Sequence, residues 1–139
     1  MFNNLVQWLK GGVEKTLFEQ ECLDLCLSHL PENLKNIAEQ QISEYNLFQR
    51  EADNRSLNLY RASIFNRVIE PSVKLPVKSN DCILVKLVVE LSEKERINVV
   101  LHATNFRVFC ICFNKSVAHL AQNKALNVIG CTSSWKSVV

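Results

Sequence analysis

The chain has 139 residues, 47% of them hydrophobic and 22% charged, and a formal net charge of +2. This size and balance suit one globular domain with one core, and they exclude a disordered or fibrous chain. No apolar run reaches the roughly 18 residues that a membrane-spanning helix needs.

In chain order, Phe2, Leu5, Val6 and Leu9 fall at i, i+3, i+4 and i+7. That spacing predicts an amphipathic N-terminal helix over residues 1–12, ended at Gly11-Gly12. Its single cation, Lys10, is a poor match to the basic face of a membrane-surface helix, so docking on the domain is expected. Thr16-Leu-Phe-Glu19 has the form of a capping box, in which a threonine and a glutamate satisfy each other's free amides. The helix that follows places Phe18, Cys22, Leu25, Cys26 and His29 or Leu30 on one stripe. Pro31 interrupts it, and a second helix from Glu32 shows Leu34, Ile37, Ala38, Gln41, Ile42 and Tyr45 at helical spacing. Asn46 is its expected end. Together they predict a helical hairpin.

Leu47–Glu51 and Ser56–Tyr60 flank the turn-forming Ala52-Asp-Asn-Arg55 and predict a β-hairpin. Ile64–Glu70 reads as a further short strand, and Pro71 and Pro76 bracket a loop. The strongest β signal runs from Cys82 to Phe113, where apolar residues alternate through three strands. Pairing Leu91 with Ile97, and Ala103 with Phe106 across Thr104-Asn105, makes one sheet face wholly apolar. A slip of one residue would mix lysine, glutamate and histidine into that face. In this register Cys110 and Cys112 point inward and His102 points to the opposite face. Ser116 caps a short helix with Val117, Leu120 and Ala121, Leu126–Ile129 reads as a short strand, and residues 132–139 as a loose tail.

The expected fold class is α+β: an N-terminal helical hairpin packed on an antiparallel β-sheet meander of about four to six strands. Residues 1–139 form a single domain in this reading. The opening residues lack the charge and apolar pattern of a secretory signal, so a cytoplasmic protein with six reduced cysteines is expected.

Candidate chemistry is sparse. Cys22, Cys26 and His29 share a helix face, but a closed zinc site needs a fourth ligand, and small buried thiols also serve as core. A Cys–His nucleophile would need His102 beside Cys110 or Cys112, against the predicted register. Only three glycines occur, so no phosphate-cradling loop can be drawn. No enzyme, metal or cofactor is therefore expected.

The second sheet face is the remaining candidate, with Leu84, Val88 and Val100 beside Lys86, His102, Arg107, Phe109, Ile111 and Phe113. The last six are the expected partner-binding residues. Cations among aromatics would also suit nucleic acid, but no domain-wide basic excess supports that. The charge is split: residues 1–70 hold seven Lys/Arg against ten Asp/Glu, and residues 71–139 hold nine against four. These features predict a non-enzymatic protein-interaction module. A concrete form is a small bacterial immunity or antitoxin-type protein that blocks a toxin, or a module that binds a second copy of itself. A small-molecule-binding or nucleic-acid-binding α+β domain is the alternative.

Overall fold

A computed structural model describes residues 12–63, 65, 67–91, 94–120 and 127–132. The expected helix over residues 1–12 and the expected tail lie outside the described residues, apart from Gly12 and the backbone of Thr132. Two N-terminal helices, α1 (Leu17–Ser28) and α2 (Glu32–Glu44), precede six strands. These are β1 (Leu47–Arg50), β2 (Ser56–Tyr60), β3 (Asp81–Glu90), β4 (Arg96–Thr104), β5 (Arg107–Phe113) and β6 (Asn127–Thr132). They form one antiparallel sheet in the order β1-β2-β5-β4-β3-β6. The α+β class follows.

The capping box forms as the sequence predicts. Thr16 Oγ1 accepts from the Glu19 amide at 3.1 Å, and the Thr16 amide donates to Glu19 Oε1 at 2.8 Å. Glu19 does more than cap. Its carboxylate is buried and takes two hydrogen bonds from the Arg50 guanidinium of β1, at 2.9 and 2.6 Å. The start of α1 is thereby tied to the edge of the sheet by a forked ion pair. The apolar stripe of α1 buries Phe18, Cys22, Leu23, Cys26 and Leu27 on one sheet face, with the Phe18 ring 5.7 Å from that of Phe113. Tyr45, rather than Asn46, caps α2. Asn46 instead clamps Ala62, donating to its carbonyl at 2.8 Å and accepting from its amide at 2.7 Å. Among the described residues of the segment read as a further strand at Ile64–Glu70, Val68 makes an isolated bridge with Ala62 and no ladder forms.

The meander is present, but its register corrects the expectation twice. At the β3–β4 turn, Val89 pairs with Ile97 and Leu87 with Val99. This is two residues from the expected alignment, so the apolar face survives. Leu91 belongs to the turn, its amide bonded to the Glu95 carbonyl. At the β4–β5 turn, Thr104 pairs with Arg107 across Asn105-Phe106, which take φ of 53° and 60°. Both turn residues are left-handed, as a two-residue hairpin whose twist matches its strands requires.

The second correction decides the chemistry. Ala103 pairs with Val108, but His102 pairs with Cys110, so Phe109 is an extra residue on β5. Such a bulge reverses the facing of every residue beyond it. Ile111 and Phe113 turn into the core, whereas Cys110 and Cys112 stand opposite His102 and Val100 on the other face. A second bulge, between Ile83 and Val85 on β3, leaves Leu84 fully buried.

At the first bulge the sheet needs help from α2. β2 pairs with β5 only from Cys110 to Cys112. Beyond that point the Val108 amide donates to Gln41 Oε1 at 2.9 Å, and the Val108 carbonyl accepts from the Tyr45 hydroxyl. Gln41 Nε2 donates to the carbonyls of Val73 and Phe106, at 2.9 and 3.0 Å. Gln41 is fully buried, and its amide joins α2, the 73–77 loop and the bulged strand. A buried backbone group left without a partner costs about 1–3 kcal/mol. Gln41→Leu keeps the bulk and strands these groups, so unfolding free energy should fall by about 3 kcal/mol in urea titration.

Glu44, at the end of α2, accepts from Ser72 Oγ at 2.6 Å and from Arg61 Nη1 at 3.2 Å. The Ser72 hydroxyl chiefly, with its amide and Arg61, holds the carboxyl below its ordinary range. Its contribution to stability is therefore complete above the ordinary carboxylate pKa and is lost as pH falls through the lowered folded value. Ser72→Ala should move the Glu44 midpoint upward in an NMR-monitored titration.

Candidate functional site

Both helices lie against the face that holds Leu87, Val99 and Ile111, and no helix among the described residues covers the other. Ser56 and Asn58 of β2, Cys110 and Cys112 of β5, Val100 and His102 of β4, and Lys86 and Val88 of β3 stand in register there. Between them is an open hollow of about 440 Å³, lined by Lys86, Val88, Asn98, Val100, His102 and Cys112. Gly130 of β6 borders it, and a Cβ there would sit 3.7 Å from Val88 Cβ, so its missing side chain keeps that wall low.

Cys110 Sγ and Cys112 Sγ lie 3.3 Å apart. Ser56 Oγ donates to Cys112 Sγ at 3.6 Å. Cys112 is half-buried and borders the hollow, while Cys110 is buried. The two thiols are inequivalent. The hydrogen bond from Cys110 chiefly, aided by Ser56 and the nearby His102, holds the Cys112 thiol down despite its burial. The same hydrogen bond, with burial, pushes Cys110 up. Cys22 and Cys26 lie in the core under α1, where desolvation raises both thiols, Cys26 to about 12. No cluster of three or more metal-ligating side chains occurs among the described residues.

The expected partner-binding residues divide. Lys86 is exposed and His102 half-exposed on the open face. Phe109 is half-buried at the bulge, its ring 5.6 Å from that of Tyr60. Ile111 and Phe113 are core residues on the helix side, because the bulge reversed them. Arg107 is buried, and its guanidinium donates to the Leu59 carbonyl at 3.1 Å. It packs over the rings of Phe109 and Tyr60, 5.0 and 5.6 Å from their centroids. It closes the gap where β2 leaves β5, and so holds the sheet together rather than facing a partner.

A second surface went unread in the sequence. Phe65 is 80% exposed, Val68 57% and Ile69 37%, all in one loop. The loop is hydrogen-bonded: the Ser63 amide donates to the Arg67 carbonyl and the Ile69 amide to the Arg61 carbonyl. Ser63 Oγ accepts from the Phe65 and Arg67 amides, both at 3.2 Å, and Asn46 anchors the base at Ala62. The available signal was Ala62-Ser63 followed by two apolar pairs, Ile64-Phe65 and Val68-Ile69, on either side of Asn66-Arg67.

Arg107→Ala should lower unfolding free energy by about 2 kcal/mol, through a lost charged hydrogen bond and lost ring packing. Lys86→Ala should change it by less than about 0.5 kcal/mol; paired urea titrations measure both. The chain matches no family model, no curated protein and no solved structure, so its chemistry rests on its own residues.

Proposed function

We propose that the chain is a protein-interaction module whose contact is made by the 61–70 loop. The exposure of Phe65 carries this reading. A phenylalanine held in water forfeits about 1.5–3 kcal/mol of burial, and aromatic side chains are frequent anchors in protein contacts. The loop is held by internal hydrogen bonds and by Asn46, so less ordering entropy is lost on binding. Arg61 and Arg67 flank the tip, and the Arg61 side chain is held by Glu44 and the Glu70 carbonyl. A module that blocks a partner, of the immunity or antitoxin kind, is one form of this reading. Asp24, Glu32 and Glu39 give the helices an exposed acidic surface suited to a basic partner.

The hollow on the open sheet face favours a second reading, a small-molecule site. Its volume of about 440 Å³ is in the range of ligand pockets. Thermal-shift screening tests it, and a Val100→Glu variant that still responds to the same compound would overturn it.

For the interaction reading, a photo-reactive residue at position 65 should give one discrete adduct in an extract of the native host. The same residue at exposed Asn36 should not. Equal labelling from both positions, or none from 65, would sink the proposal. Phe65→Ser should leave unfolding free energy within about 0.5 kcal/mol of the parent. Sedimentation velocity separates a second copy of the chain from a different protein as the partner.

A further inference from the structure

We propose that Cys110 and Cys112 form a reversible dithiol–disulfide pair on the open sheet face, with Cys112 as the attacking thiol and Cys110 as the resolving one. The proposal is independent of the 61–70 loop. It rests on three features of placement. The Phe109 bulge turns both cysteines to the same sheet face, which no helix among the described residues covers. Their sulfurs are 3.3 Å apart, near enough to meet after a small side-chain rotation. The hollow is lined by Cys112, and by exposed Cys131 across it, but not by Cys110, so within the pair Cys112 is the thiol that a small oxidant reaches.

The protonation pattern agrees with these roles. Cys112 accepts from the Ser56 hydroxyl and shares a hydrogen bond with Cys110, and a thiolate at Cys112 is favoured by both. Thiolate is the attacking species in disulfide exchange. With a low-molecular-weight disulfide, RSSR, the Cys112 thiolate attacks one sulfur and the S–S bond breaks. One RS⁻ leaves and takes up a proton, and a mixed disulfide remains on Cys112. The Cys112 thiolate that held the Cys110 proton has then been consumed. Cys110 can ionise to solvent and attack the Cys112 sulfur, expelling the second RS⁻. The balance is two protein thiols oxidised, one RSSR reduced and two RSH released.

The product should be easily reversed. Alternate residues on a strand have Cα atoms about 6.6 Å apart, at the upper end of the usual disulfide span of about 4.4–6.8 Å. Closing the bond pulls on β5, and strained disulfides are readily reduced. The pair is therefore a switch in character, unlike a structural crosslink. No third ligating side chain joins it among the described residues to favour a metal chelate instead.

The test incubates reduced full-length protein with glutathione disulfide at neutral pH, followed by intact mass and peptide mapping. The expected product has lost two hydrogens, carries its bond between Cys110 and Cys112, and returns to the dithiol with dithiothreitol. Cys110→Ser should instead accumulate a glutathione adduct on Cys112, and Cys112→Ser should form neither product. In the parent, iodoacetamide should label Cys112 at least about tenfold faster than Cys22 or Cys26. Oxidation that maps to Cys131 or to the core cysteines, or no internal bond in the parent protein, would overturn the proposal. The parent peptide map needs no variant, so it decides the matter even if a serine variant fails to fold.

Discussion

The side-chain amide of Gln41 holds together the part of this molecule where regular pairing fails. Past Cys110, β2 and β5 diverge, and a buried strand end without partners would cost several unpaired backbone groups. Gln41 and Tyr45 supply partners for both polar groups of Val108, and Arg107 supplies one for Leu59. The same amide fixes the Phe106 carbonyl, which also accepts from the Leu75 amide. Phe106 is thereby kept in a left-handed turn that disfavours a bulky side chain. One glutamine thus supports the hairpin turn, the bulge and the loop behind them.

Much of this fold was legible in the sequence, and the limits have a physical cause. The capping box, the two helices, the first hairpin and the three meander strands follow from local chemistry and side-chain period. The facing of β5 does not. Its residues are apolar on both parities: Val108 with Cys110 and Cys112 on one, Phe109 with Ile111 and Phe113 on the other. An uninterrupted alternation therefore buries an apolar row in either alignment, and the pattern cannot register an inserted residue. The backbone groups beside the bulge are satisfied by Gln41, far away in sequence, and the helix pattern marked Gln41 only as a core-facing position.

The same insertion explains why the candidate site was misread. It separates Ile111 and Phe113 from Lys86 and His102, and it brings the two cysteines to the open face. Arg107 misleads for a related reason. A cation beside aromatic residues looks like a recognition surface, yet here the rings of Tyr60 and Phe109 and a backbone carbonyl enclose it. The exposed loop around Phe65 was the opposite case, since its apolar residues were read as a strand, whereas its described residues make only the isolated Ala62–Val68 bridge.

The Val108 amide has a further use as a probe. Most amides in a sheet report on the pairing of neighbouring strands. This one is bonded to a side chain of α2, so its exchange with solvent deuterium tracks how often the helix lifts from the sheet, even while the meander stays paired. A single backbone proton thus separates undocking of the helical layer from unfolding of the sheet.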